Sequence, residues 1–179
     1  MALNQEEFNS IVESIRNGTF MDSKLELDNC KLDNNDAAAL MSALVNNSTV
    51  ARRIATMSLC ENHITSIEIP DTLTALEALD LRQNKLKSIK VPDTLTALKT
   101  LYLPDNKLSG IEIPYTLTAL EEIDLSGNAL ETIDIPNTLT ALKVFGLSEN
   151  DLESIKIPET LTVLVELKLH ANYISGVAP

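Results

Sequence analysis

Glu122 and Asp124 stand two residues apart, a spacing that places both carboxylates on one side of an extended segment. Paired carboxylates are the equipment of general acid–base catalysis, but that use needs a cleft that raises one of the two pKa values by burial. Nothing around the pair reads as a pocket, and a solvated acidic face is the simpler interpretation. The two histidines, His63 and His170, are too far apart to share a site. The two cysteines, Cys30 and Cys60, are not arranged as C-x-x-C and have no histidine pair near them, so neither a zinc site nor a catalytic thiol is expected. The runs Asp28-Asn29 and Asp33-Asn34-Asn35-Asp36 lack the ligand spacing of a calcium loop and suit turns and helix caps instead. With five glycines in the chain there is no glycine-rich phosphate loop. The sequence therefore implies no catalytic residue, no metal and no cofactor: a non-enzymatic protein.

The elements that carry these residues are set by a repeat. Asn62, Asn84, Asn106, Asn128, Asn150 and Asn172 recur every 22 residues. Around each lies the same frame, as in Leu76-x-x-Leu79-x-Leu81-x-x-Asn84-x-Leu86-x-x-Ile89-x-Val91-Pro92-x-Thr94-Leu95-Thr96-Ala97. A fixed period of this length specifies a solenoid of stacked turns. Each turn is expected to hold a short strand at its L-x-L core: Met57–Leu59, Leu79–Leu81, Leu101–Leu103, Ile123–Leu125, Phe145–Leu147 and Leu167–Leu169. The return side carries an I-x-I-P segment, such as Ile111-Glu112-Ile113-Pro114, whose proline is expected to block strand pairing and favour an extended polyproline-like path, followed by a short helical or 3₁₀ turn at Thr-Leu-Thr-Ala-Leu. The asparagines are expected to be structural, their side-chain amides bonding backbone groups that the bend leaves unpaired.

The first stretch departs from this frame. Leu3-Asn4-Gln5-Glu6-Glu7-Phe8 reads as a helix start, with Asn4 as cap, Glu7 closing a capping box and Leu3 packing on Phe8. Phe8, Ile11 and Ile15 form its apolar face, with Val12 beside it, and Asn17-Gly18 can end it. Leu25-x-Leu27-x-x-Cys30-x-Leu32 is a first strand-turn with Cys30 in the asparagine slot. Asn34 or Asn35 can cap a second helix running to about Val45, with Leu40, Met41, Leu44 and Val45 as its apolar residues. From Leu25 to the matching Met57 is 32 positions, so this turn should carry a true helix and a small insertion near Val50 to Arg53. The chain thus divides into residues 1–53, a helical cap plus an irregular first repeat, and residues 54–179, six 22-residue repeats of which the last is incomplete.

Composition narrows the partners. Apolar residues make up 44% of the chain and aromatics 3%, with no tryptophan, so the core must be Leu/Ile packing. The net charge of −12 argues against nucleic acid and anionic membranes, both of which need Lys/Arg patches. No apolar run approaches the ~18 residues of a membrane span. The N-terminus shows no basic start or apolar core of a signal peptide, so free thiols are expected and the sequons at Asn17, Asn46 and Asn47 read as chance matches.

The frame resembles that of leucine-rich repeat (LRR) proteins over about four-fifths of the chain. Its N-terminal segment resembles ribonuclease-inhibitor-like repeats, and its 22-residue turns with I-x-I-P are similar to bacterial repeat proteins, including secreted LRR effectors. The resemblance implies an α/β solenoid: a curved leucine-rich-repeat horseshoe with a parallel concave sheet, an α-helical N-terminal cap, and protein binding on the concave face. Strand alternation then assigns the outward rows, with Asp80, Arg82, Tyr102, Glu122, Asp124, Glu166 and Lys168 on that face and Asp105 at the following loop position. Tyr102 is the strip's single aromatic and a natural anchor. The expected function is a protein–protein interaction module that takes a basic partner surface, in the cytoplasm or delivered without a cleavable signal peptide into a host cytosol. A monomer is expected. The chain stops inside a seventh turn without a recognisable cap, so the alternatives are a scaffold stacking through its C-terminal edge, or the truncated recognition domain of a larger protein.

Overall fold

The computed structural model describes residues 3–175. The outermost ends of the two sequence segments, 1–2 and 176–179, and with them the expected break at Pro179, lie outside the described residues. Three helices, α1 (Gln5–Arg16), α2 (Asn34–Asn46) and α3 (Ser48–Ala51), accompany seven strands of three residues each. The strands are β1 (Lys24–Glu26), β2 (Thr56–Ser58), β3 (Ala78–Asp80), β4 (Thr100–Tyr102), β5 (Glu122–Asp124), β6 (Val144–Gly146) and β7 (Glu166–Lys168). They form one parallel sheet in sequence order, each residue of β2 to β6 paired with the residue 22 positions later. Each strand begins one residue before the L-x-L core, without changing which side chains face inward.

The inward residues follow from the repeat. Leu79, Leu81, Leu101, Leu103, Ile123 and Leu125 are fully buried, stacked turn upon turn into one continuous core. Beyond each strand the parallel ladder continues: Leu81 N donates to Tyr102 O (2.8 Å) and Gln83 N to Pro104 O (2.9 Å). The chain then bends through a left-handed residue, at Glu61, Gln83, Asp105, Gly127, Glu149 and Ala171, each just before its asparagine. Only one of the six is glycine. Gly127 also lies so close to its neighbour that a Cβ there would come within 2.7 Å of Asp105 Oδ1.

The asparagine column satisfies the bend. Asn106 Nδ2 donates to Leu81 O of the preceding turn (2.9 Å) and Leu103 O of its own (3.1 Å), while its Oδ1 accepts from Leu86 N (3.0 Å). Asn62, Asn84, Asn128, Asn150 and Asn172 repeat these bonds. In the first turn Asn62 Oδ1 accepts from Cys30 N and Leu32 N (3.1 and 2.9 Å). Cys30 can stand in the asparagine slot because an amide there would have no earlier strand to reach: β1 is the sheet's edge.

The return side differs from expectation in one respect. Glu68, Lys90 and Glu112 pair in parallel just before the prolines, so the proline stops this minor ladder rather than preventing it. The Thr-Leu-Thr-Ala-Leu segments are isolated turns, closed by bonds such as Leu73 N to Pro70 O and Leu76 N to Leu73 O. A hydroxyl ladder joins them: Thr94, Thr116, Thr138 and Thr160 each donate to the carbonyl 23 residues earlier. Thr72 Oγ1 begins that column, buried and without a partner, since the register to the preceding turn is 32 residues and the corresponding residue, Ala39, lies inside α2.

At the N-terminal end, Asn4 caps α1 with the complete Glu7 capping box. Phe8, Val12 and Ile15 are its buried residues, Val12 taking the place expected of the half-buried Ile11, and α1 packs on α2. The cap of α2 is Asp33, not Asn34 or Asn35, with Asp36 completing the box. A carboxylate accepts two amide bonds at that helix start, and Asn34 is thereby free to bond Thr65 and Ser66. Val45 does not join the apolar face; it is 55% exposed. The irregularity near residues 50–53 is the short helix α3, which buries Val50 and Ala51.

Candidate interaction face

On the outer face of the sheet the side chains at the first and third strand positions stand in rows one strand apart, and among the described residues no helix covers them. Seven strands at ~4.8 Å spacing make a strip of roughly 30 Å. On it, Asp80, Arg82, Tyr102 and Glu122 form one connected group. Asp80 accepts two bonds from Arg82 Nε (2.8 and 2.9 Å), which holds the guanidinium firmly in its charged form. The Arg82 guanidinium in turn lies over the Tyr102 ring, 5.0 Å from its centre, a cation–π contact of about 0.5–1 kcal/mol at an exposed site. Tyr102 Oη donates to Glu122 Oε2 at 2.7 Å. Partial burial, then the bond to Glu122 and its negative charge, pushes the phenol up to about 12.

Tyr102 is therefore not a free ring awaiting a partner. It is held on both sides, its face by Arg82 and its hydroxyl by Glu122. Fixing a large side chain before contact removes an ordering cost of binding. Asp124 adjoins this group. Its Oδ1 accepts from Ser126 N (3.0 Å), and the carboxylate leans over Gly146, where a Cβ would come within 2.9 Å of its Cγ. Any side chain at 146 would displace Asp124, so glycine there sets the position of the acid.

Charge on the strip is compensated unevenly. Asp80 is paired with Arg82, and Glu166 with Lys168 at 3.6 Å on β7. Glu122 and Asp124 have no ion-pair partner among the described residues. Asp105 sits at the rim in the loop after β4, exposed and folded against Gly127. Of the expected face residues, Asp80, Arg82, Tyr102, Glu122 and Asp124 come together on β3 to β5, Asp105 borders them, and Glu166 and Lys168 lie two strands away.

Strand alternation also puts Asp28, Ser58, Cys60, Ser148 and His170 on this face, but spacing did not reveal the bonds among them. Asp28 Oδ1 accepts from Ser58 Oγ (2.5 Å) and Cys60 N (2.9 Å), tying the first turn to β2. Burial, then the nearby Asp28 and Asp80 carboxylates, pushes the Cys60 thiol up to about 11, so it is a poor nucleophile at neutral pH. Both cysteines are free thiols. Ser148 Oγ and His170 Nδ1 meet at 2.8 Å towards the far end. Among the described residues no group of three His, Cys, Asp or Glu side chains could hold a metal ion, and no helix is long and apolar enough to cross a membrane.

The comparisons agree with this architecture. The BspA-type leucine-rich repeat region matches residues 52–172 in six copies. No curated protein matches the chain significantly. Among solved structures, the LRIM1/APL1C complex is similar at a TM-score of 0.71 and 18% identity, covering 98% of this chain and 35% of that one. The TLR13–ssRNA13 complex gives 0.68 at 22% identity, over 99% of this chain and 25% of that one. The plant peptide hormone receptor RGFR1 in complex with RGF2 gives 0.56 at 31% identity, over 73% and 22%. The chain spans about a third or less of these proteins. With the family frame matched across most of its length and the parallel sheet in place, the chain belongs to the BspA-type leucine-rich repeat family.

Proposed function

We propose that this chain is a non-enzymatic recognition module that binds a basic protein surface on its sheet face, centred on Tyr102, Glu122 and Asp124. The observation that carries the reading is the coincidence of a pre-positioned aromatic with two carboxylates that, among the described residues, have no ion-pair partner, on a sheet face that no described helix covers. Leucine-rich repeat folds are typically protein-interaction modules, and the net charge of −12 favours a basic partner over nucleic acid. The setting we favour is a bacterial effector acting on a host protein in the host cytosol, supported by the resemblance of the 22-residue I-x-I-P turns to bacterial repeat proteins.

The test is affinity capture from host and bacterial lysates in parallel, followed by affinity measurement with the purified partner. Tyr102→Ala should weaken binding by about 1–3 kcal/mol, as for an aromatic anchor at an interface. Changing Thr96 and Thr118, exposed on the return side, should leave it intact. Binding that survives Tyr102→Ala together with Glu122→Gln and Asp124→Asn, but fails with the threonine variants, would reverse the assignment.

A second reading is favoured by one observation. Val165 is 86% exposed and Leu164, Leu167 and Leu169 are only partly buried, so the β7 turn presents apolar surface through which copies could stack. Light scattering separates the two: the module reading expects a monomer, and stacking expects mass that grows with concentration.

A further inference from the structure

On the return side, opposite the sheet, a groove of about 980 Å³ opens between α2 and residues 66–71. Its origin is the change of repeat length. From Glu68 onward each return segment lies beside another extended segment, and the pairing runs Glu68 to Lys90 to Glu112. Before Glu68 the neighbour is α2, a helix, which offers no strand edge. The minor ladder therefore starts at Glu68 with one side unpaired, and the orphaned Thr72 hydroxyl marks the same discontinuity in the threonine column. Asn34 fastens the first turn of α2 to this segment, accepting from Thr65 N (2.7 Å) and Ser66 N (3.2 Å) and so joining the two walls at that end. The walls include the largely buried Met41 and the exposed Val45 on one side and the largely buried Ile67 and Ile69 on the other, and Lys90 lines the groove beyond Glu68.

We propose that this groove takes up an extended segment of a partner protein, alternating apolar and basic residues, as an added strand beside Glu68. The unpaired edge selects extended backbone, because main-chain bonds to a sheet edge are available only to a strand. The apolar walls select alternate apolar side chains. The charge follows from the ladder itself, which alternates Glu68, Lys90, Glu112, so a strand added before Glu68 meets a carboxylate and is matched by Lys or Arg. Glu68 and Asp71, both exposed on the groove, have no ion-pair partner among the described residues.

The test is an NMR titration of the full chain with an acetylated and amidated hexapeptide of alternating Val and Lys, alongside the same peptide N-methylated at alternate residues. Saturable shifts are expected at Met41, Val45 and Ile67 to Ile69, at least tenfold weaker for the N-methylated peptide, and lost in Val45→Asp and Glu68→Lys. Both positions are exposed, so unchanged melting temperatures should confirm that these variants fold. Binding should persist in Tyr102→Ala, which separates this groove from the sheet face. The proposal is overturned by no shifts at millimolar peptide, by equal binding of the N-methylated form, or by shifts confined to Tyr102, Glu122 and Asp124. Concentration-dependent shifts of the free protein at Val45 and Ile69 would also overturn it, because they would make a second copy the occupant.

Discussion

The two faces of the solenoid are built from the same repeat and put it to different uses. On the return side the positions recur almost unchanged: an Ile-x-Ile-Pro or Val-Pro step, then Thr-Leu-Thr. Their hydroxyls and carbonyls bond from turn to turn, as at Thr94, Thr116, Thr138 and Thr160. On the sheet face the last strand position reads Glu26, Ser58, Asp80, Tyr102, Asp124, Gly146 and Lys168, with no residue type shared by adjacent turns. Each contact there is local: Arg82 with Asp80, Tyr102 with Glu122, Asp124 over Gly146. A periodic face is tied to the period of the stack, whereas a face whose side chains differ at every turn is free to match something outside the molecule. The lesson is that the sheet face combines a rigid backbone with individually placed side chains, which is what a recognition surface needs.

That contrast can be broken most severely at the asparagine column. Asn106→Ala should destabilise by about 1–3 kcal/mol, because buried backbone groups at Leu81, Leu86 and Leu103 lose their partner. The less buried Asn128, bonded in the same way, should cost less when replaced. Equal denaturant midpoints for wild type and both variants would show that the column is dispensable. A subtler contrast lies within the threonine column. Thr94→Val removes a bond to Asp71 O and should cost about 0.5–1 kcal/mol, whereas Thr72→Val removes a buried hydroxyl with no partner and should be neutral or stabilising. Chemical denaturation of the two variants side by side checks it, and an equal loss in both would refute the account of the orphan.

On the sheet face, Tyr102→Ala should change stability by less than about 1 kcal/mol despite its expected effect on binding, since the ring contributes surface contacts rather than core. The smallest effect is spectroscopic. The Tyr102 phenol is raised from an ordinary value of 10.0 to about 12, so the neutral form is favoured in the folded state. Its contribution to stability is present below pH 10 and is lost as pH rises towards 12. A tyrosinate absorbance titration should show the Tyr102 step displaced to high pH, and Glu122→Gln should bring that step earlier.

Much of this was legible in the sequence, for identifiable reasons. The strand phase and the asparagine column follow from a strict period, because a side chain repeated at one position meets the same surroundings each time. The capping box of α1 was legible because its residues are neighbours in the chain. What escaped was whatever depended on contacts between turns. Asp33 rather than Asn34 caps α2, which leaves Asn34 to bond Thr65, 31 residues away. The left-handed bend before each asparagine was hidden because Glu, Gln, Asp and Ala occupy it as well as glycine. The Arg82–Tyr102–Glu122 chain runs diagonally across three strands, and side-chain rotamers, not spacing, decide it.

The most direct test is carboxylate footprinting of the protein with and without its captured partner, using a carbodiimide label read by mass spectrometry. It reports both faces in one sample: Glu122 and Asp124 on the sheet, Glu112 and Asp134 on the return side away from the α2 groove. The account predicts that the partner suppresses labelling at Glu122 and Asp124 and leaves Glu112 and Asp134 unchanged. Suppression at Glu112 and Asp134 with Glu122 and Asp124 still fully labelled would contradict it.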